Sequence, residues 1–334
     1  MPMMRAGVIR GFGPPEVLRV ESVEQPRAGH GDVLVRVHAA SVNPIDCKVR
    51  SGTNRAILPP QLPWILGLDL SGVVEEVGPG VTGFRVGDTV FGSPSHRRPG
   101  TYAELVAVDA RELAPKPASL SHVEAASLPL VFQTAWDCLV RAAALGPGQT
   151  VLVHAGSGGV GTMAIQLARH LQAHIVTTCS PRNAELVRSL GADHVIDYRE
   201  QDFTQELSGL DVILDGLGRQ TQLAGLPVLA PGGRLVSIAS GLPAQARTWG
   251  PWLGLLVTAL DMAWRSARAR LSGRRLHHVI RRADAGVLLA LERLIAVGSI
   301  RPVVDRVFPL EALAEAHAYS ETGRARGKIV IAIA

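Results

Sequence analysis

Residues 151–161 constrain this chain more than any other stretch. Val151, Leu152 and Val153 are consecutive apolar residues, two of them β-branched, and predict a buried parallel strand. Gly156, Gly158 and Gly161 follow with Gly-x-Gly-x-x-Gly spacing, and Met163 to Ala168 then has helical spacing. Strand, glycine turn and helix in that order form the fingerprint of a dinucleotide site. Gly156 is expected to permit the tight turn, Gly158 to let the backbone approach a pyrophosphate, and Gly161 to let the helix pack close. Ser157, Gly159 and Val160 complete the loop, whose free amides at the helix start face the phosphates. The competing nucleophile elbow needs Gly-x-Ser-x-Gly around Ser157. Ala155 stands where its first glycine belongs, which argues against a serine hydrolase.

A chain of 334 residues predicts two domains with ample core, and no segment reaches the length of a membrane span. Cys47, Cys138 and Cys179 lie far apart and form no Cys-x-x-Cys pair. That argues against a zinc ribbon or a disulfide framework and fits a reducing, cytoplasmic setting. One Arg and no long apolar run precede Val8 and Ile9, so no secretory signal is expected. The formal charge of +5 is modest and gives no reason to expect nucleic acid as a partner. The charge is local, however: residues 262–283 hold seven Arg and no acid.

Residues 1–122 read as β-rich. Asp32 to Ala40 alternates like a half-exposed strand, and further strands are expected at 72–78, 86–91 and 102–108. Short strands with Gly and Pro between them suggest a small, partly closed barrel. From His122 to Ala144 the chain turns Ala- and Leu-rich with helical spacing. Strand and helix then alternate, the pattern of a parallel sheet, with strands at 151–153, 174–178, 194–196, 212–214 and 234–240. Pro181 to Leu190 reads as a helix stopped by Gly191, 275–282 as a last strand, and 285–297 as a helix.

An NAD site places an acid about 20 residues beyond the glycines, on the ribose hydroxyls. Here the second strand runs into Ser180, Pro181, Arg182 and Asn183, and no carboxylate appears before Glu185. A 2′-phosphate would be repelled by a carboxylate and is matched by Ser180 and Arg182, so NADPH is the expected cofactor. Ser180 has a second reading as the cap of the following helix.

The chain resembles the medium-chain dehydrogenase/reductase superfamily over nearly its whole length. The resemblance rests on Ala40 to Asp46, Gly67 to Val74, Leu128-Pro129 with Thr134-Ala135-Trp136, Gly191 to Tyr198, and Arg324 to Lys328. It implies an α/β protein: a Rossmann doubly wound parallel sheet plus a GroES-like β-barrel catalytic domain built from both parts of the chain that flank it. The expected division is 1–122 GroES-like, 123–283 Rossmann, and 284–334 a return to the GroES-like domain. Thr134 joins the cofactor-binding candidates on this resemblance. Tyr198 matches a position that lines the 2′-phosphate pocket in relatives, where Arg326 or Lys328 would close it. Packing for Tyr198, and an exposed strand end for the two cations, are the other readings.

Alcohol dehydrogenases of this superfamily hold a catalytic zinc through Cys and His. This chain has Asn43 at the Cys position and Leu68-Asp69 at the His-Glu position, and no four-cysteine lobe between Phe91 and Tyr102. Leu cannot ligate and Asn is a poor zinc donor, so no metal is expected. Asn43 resembles the quinone oxidoreductase branch, and Asn43-Pro44-Ile45-Asp46 its reticulon-interacting oxidoreductase group.

Hydride transfer without a metal still builds negative charge on a substrate oxygen, which needs donors. Asn43 can offer its amide, or instead form an Asx-turn before Pro44. Lys48 stands where many relatives have Tyr and is either a proton donor or solvated. These features imply a zinc-independent, NADPH-dependent reductase of quinones or other α,β-unsaturated carbonyls, homodimeric by resemblance, with its seam near 234–240. The alternatives are a zinc-independent alcohol or aldehyde oxidoreductase, or a membrane-associated, cofactor-binding scaffold with little turnover. Segment 249–282, with three Trp ahead of the Arg cluster, fits either a peripheral lipid contact or a cover over the sheet or a dimer partner.

Overall fold

A computed structural model of the chain describes residues 2–58, 60–96, 98 and 100–333. Its first part holds β1 (Met3–Ile9), β2 (Leu18–Glu24), β3 (Asp32–Val42), α1 (Pro44–Arg50), β4 (Trp64–Ile65), β5 (Asp69–Val77), β6 (Thr89–Gly92), β7 (Leu105–Asp109) and β8 (Leu113–Pro115). Two helices follow, α2 (His122–Ala126) and α3 (Pro129–Trp136). The alternating part is β9 (Thr150–Val153), α4 (Gly159–His170), β10 (His174–Cys179), α5 (Ala184–Leu190), β11 (His194–Asp197), α6 (Phe203–Glu206), β12 (Leu210–Asp215), α7 (Arg219–Val228) and β13 (Leu229–Ser237). Then come α8 (Leu242–Trp249), α9 (Pro251–Leu271), β14 (Arg275–His278), α10 (Ala285–Ala296), β15 (Val304–Pro309), α11 (Leu313–Glu321) and β16 (Lys328–Ala332).

The chain divides into two compact units, Met1–Gln133 with Arg282–Ala334, and Thr134–Arg281. The first division falls after Gln133, whereas the change of composition suggests 122. Helix α2 accounts for the difference, because its Ala126 is buried with Ala39 of β3 and Val330 of β16. The long helix expected over 122–144 is interrupted at Pro129, which has no N–H to continue the ladder.

The GroES-like unit contains two sheets, ordered β2-β1-β4 and β15-β16-β3-β5-β6-β8, with β7 also paired to β3. β3 is its spine. Only Arg36 of its eleven residues is exposed, not every second one as alternation predicts. β5 takes one edge and β7 and β16 share the other. Its two faces feed separate cores: Val33, Val35 and Val37 pack with Leu70 and Val90, while Leu34 packs with Val8 and Leu105.

The Rossmann unit is one parallel sheet ordered β11-β10-β9-β12-β13-β14. This doubly wound order starts at β9 and turns at the crevice between β9 and β12. Leu152, Val176, Ile196, Ile213 and Leu235 form its buried core. Gly191 ends α5 at φ 114°, a left-handed geometry that glycine adopts without steric cost. The dimer seam expected near 234–240 is misplaced: β13 is an interior strand flanked by β12 and β14, and the edge strand on that side is β14.

Candidate functional site

In the Rossmann unit the candidate residues gather at the carboxyl ends of the strands. α4 begins at Gly159, so the amides of Gly159, Val160 and Gly161 lack intrahelical acceptors. A Cβ built on Gly158 would meet only Ala155 O, at 3.4 Å, which leaves the loop surface open to a pyrophosphate. Gly161 is needed for packing, since a Cβ there would lie 2.4 Å from Ala155 O and 2.7 Å from Gly156 Cα. Gly156 does not supply the turn's unusual backbone. That falls to Ala155 at φ 54°, whose N–H donates to Thr178 Oγ1 at 3.2 Å. Gly156 is required for a different reason: its Cβ would collide with Thr177 Oγ1 at 2.0 Å.

Beyond β10, Ser180 opens the turn without capping it through its side chain. Its Oγ and that of Ser157 both accept from Asn183 Nδ2, at 3.2 and 2.9 Å. One amide therefore ties the glycine loop to the second strand. Asn183 Oδ1 is buried with no hydrogen-bond partner. Arg182 is exposed and Thr134 is buried within α3. Together, the open face at Gly158 and the orphan Asn183 oxygen fit a dinucleotide.

A cavity of about 620 Å³ lies beside the ends of β9 to β12, with Tyr198, His154, Thr178, Phe203 and Leu217 among its walls. Tyr198 is 60% exposed there, so it is not a packing residue. His154 stands directly after β9. Its Nδ1 is 3.1 Å from Thr178 Oγ1, its Nε2 is buried without a partner, and burial lowers its pKa. Only its place one residue past the strand could have signalled this.

The GroES-like unit holds a buried polar cluster. Lys328 Nζ donates to Asn43 Oδ1 at 2.5 Å and to Val42 O at 3.1 Å, and it pairs with Asp69 Oδ2 at 3.3 Å. Asn43 Nδ2 donates to the same Asp69 oxygen at 2.9 Å and to Ser41 O at 3.5 Å. Ser41 Oγ and the Leu130 amide complete the shell of Asp69. Two expectations are corrected here. Lys328 is 5% exposed and held inside this unit, so it does not close a phosphate pocket. Asn43 is fully buried with its amide committed to Asp69 and Lys328, so it does not offer that amide to a substrate. Arg326 is exposed just ahead of β16.

Asp46 continues the cluster. Its carboxylate accepts from Asn43 N–H at 2.9 Å and Tyr102 Oη at 3.2 Å. Tyr102 Oη lies 3.3 Å from His317 Nε2, and His317 Nδ1 faces Cys47 Sγ and Arg50 Nη1 at 3.5 and 3.4 Å. Donors on Nδ1 place the His317 proton on Nε2, so the bonds run one way, from Arg50 to Asp46. Burial pushes Asp46 up to about 7 and Cys47 to about 12, and it lowers His317 to about 3. Lys48 is half-buried, and burial lowers its pKa. Its ammonium has no hydrogen-bond partner among the described residues. Among those residues there is also no group of three or more His, Cys, Asp or Glu able to hold a metal ion.

A family model described as the alcohol dehydrogenase GroES-like domain matches residues 29–118, and one described as zinc-binding dehydrogenase matches 190–331. The human protein named NAD(P)H oxidoreductase RTN4IP1, mitochondrial, is 36% identical, with 98% of this chain and 89% of that protein aligned. An Arabidopsis thaliana protein named NADPH-dependent alkenal/one oxidoreductase, chloroplastic, is 33% identical over 98% of this chain and 79% of its own. The solved structure of the quinone oxidoreductase from Coxiella burnetii superposes with TM-score 0.89 at 32% identity, covering both chains completely.

Two outcomes follow from the buried cluster. Lys328→Ala leaves Asp69 charged and unpaired, and should cost about 3–5 kcal/mol in urea unfolding; adding Asp69→Asn should recover part of that loss. Equal destabilisation in the single and double variants would show that the ion pair is not the cause. The second outcome concerns pH. Between its ordinary value of 3.8 and about 7, folded Asp46 keeps a proton the unfolded chain has lost, so its contribution to stability falls as pH rises. From about 3 to 6.5, folded His317 refuses a proton the unfolded chain binds, so its contribution rises. The two oppose each other between about pH 4 and 6.5. Asp46→Asn should therefore gain stability more steeply across that window than the parent, and identical slopes in urea midpoints would contradict the assignment.

Proposed function

We propose that this chain, which belongs to the zinc-independent, quinone oxidoreductase-like group of the medium-chain dehydrogenase/reductase superfamily, reduces quinones or other α,β-unsaturated carbonyls with NADPH. The observation that carries the reading is the junction of the glycine loop and β10. There Ser157, Ser180 and Asn183 are tied together, Arg182 stands beside them, and no carboxylate occupies the position that would repel a 2′-phosphate. The amides of Gly159 to Gly161 would hold the pyrophosphate, and Ser180, Arg182 and Tyr198 the 2′-phosphate. NADPH, when bound, supplies the hydride.

The chain's own residues then have to manage charge on the substrate oxygen and one proton. The positions equivalent to the zinc ligands support a metal-free route: Leu68 has no donor atom, and the Asn43 amide is bonded to Asp69 and Lys328. A quinone yields a hydroquinone anion that water can protonate. An enone yields a more basic enolate, for which Lys48, with its pKa lowered by burial, is the proposed donor. A homodimer remains part of this reading, with its seam moved to β14, which ends the sheet among the described residues. Three buried free thiols fit a reducing compartment such as the cytoplasm. The human relative carries a mitochondrial name.

A panel of quinones and enones, followed by NADPH oxidation, tests the function directly; turnover of alcohols or aldehydes alone would replace it. NADPH should bind at least about tenfold tighter than NADH, the scale of one charge-assisted bond to phosphate. Arg182→Ala should shrink that ratio, and an unchanged ratio by fluorescence titration would remove Arg182 from the site. Lys48→Met should lower kcat on an enone by about a hundredfold and leave quinone turnover within about twofold. Equal losses on both substrates would mean that Lys48 does not deliver the proton.

A further inference from the structure

Helix α9 is inside out. Gly254, Thr258, Arg265 and Ala269 face the Rossmann unit, while Trp252, Leu253, Leu256, Leu260 and Trp264 face solvent at 70, 48, 55, 63 and 48% exposure. A surface helix of a globular protein normally turns its large apolar residues inward. Here the inner face is held by polar contacts. Arg265 is fully buried and donates to Gln222 Oε1, and its Nη2 forms an ion pair with Asp261 at 2.8 Å. Asp261 also accepts from Arg219 at 2.9 Å. The orientation is therefore fixed by the fold, and the exposed stripe runs about 18 Å, at 1.5 Å per residue, from Trp252 to Trp264.

We infer that this stripe is a docking face for an anionic lipid surface. Charge selects that occupant. Residues 242–281 carry seven Arg and a single acid, Asp261, which is already paired with Arg219 and Arg265. Arg247, Arg268 and Arg270 are exposed, and Arg268 lies over the Trp264 ring at 5.7 Å. Stacking this stripe on the same stripe of a second copy would bring like charge against like, whereas anionic headgroups complement it. Trp at both ends of a Leu stripe is the side-chain chemistry of the bilayer interface, where an apolar ring carries one polar N–H. Among the described residues no helix is long and apolar enough to cross a membrane, so the contact is peripheral. This inference is independent of which carbonyl compound is reduced.

The test is sedimentation of the full chain with vesicles of phosphatidylcholine, alone or mixed with phosphatidylglycerol, at low salt. Binding to the mixed vesicles should exceed binding to phosphatidylcholine alone by at least about tenfold and be released as salt rises. Leu256→Glu with Leu260→Glu should abolish binding while NADPH oxidation and thermal melting stay unchanged, since both positions are exposed. Arg268→Gln with Arg270→Gln should reduce the preference for phosphatidylglycerol. No binding to either vesicle would overturn the inference, as would binding that survives the double Glu variant. A self-association that this variant abolishes, without vesicle binding, would assign the stripe to a second copy instead.

Discussion

The GroES-like unit depends on one buried cation. Lys328 reaches Asn43 and Asp69 from nearly the other end of the chain, and burial alone would make each charge costly. Their pairing, with Ser41, Asn43 and the Leu130 amide filling the carboxylate, turns that cost into a constraint on three segments at once. Asn43 stands at the Cys position, and Asp69 at the Glu position, of the zinc-holding alcohol dehydrogenases this chain resembles. Here an ammonium joins the same segments. It is enclosed, so it holds the segments together without presenting a Lewis acid.

The second unit works by omission. No carboxylate follows β10 before Glu185, a Cβ on Gly158 would meet only Ala155 O, and Asn183 Oδ1 has no hydrogen-bond partner among the described residues. Each omission has a cost in stability or in an unsatisfied group, and together they leave a surface shaped for phosphate. The tight place in that turn is taken by an ordinary residue, Ala155, held in a left-handed conformation by the bond from its N–H to Thr178 and the return bond from Gly158.

Much of this was legible before any coordinates. The strand, glycine turn and helix at 150–170 carry local signals, and a parallel sheet follows from strand and helix in alternation. β3 was legible as a strand but not as a buried one, because its alternation is weak and its burial comes from β5, β7 and β16, far away in sequence. The roles of Asn43 and Lys328 were illegible for the same reason. An amide next to a proline and a lysine next to a glycine look available until residues 285 positions apart are brought within a hydrogen bond. The inversion of α9 was hidden as well. Its apolar and polar positions are plain in the sequence, but which set faces inward is decided by the contacts of Arg265 with Gln222 and of Asp261 with Arg219.

The strand order of the GroES-like unit also sets a timetable. β16 pairs with β3 through Ala39 to Val42, yet the two are separated by the whole Rossmann unit. A ribosome therefore releases a contiguous cofactor-binding half while its companion still has an open seam along β3 and an unneutralised Asp69. An unpaired strand edge is a template for foreign strands. The interval before residues 328–332 emerge is thus when the nascent polypeptide is most exposed to aggregation, and a chaperone able to cover one strand's width of sheet would act there.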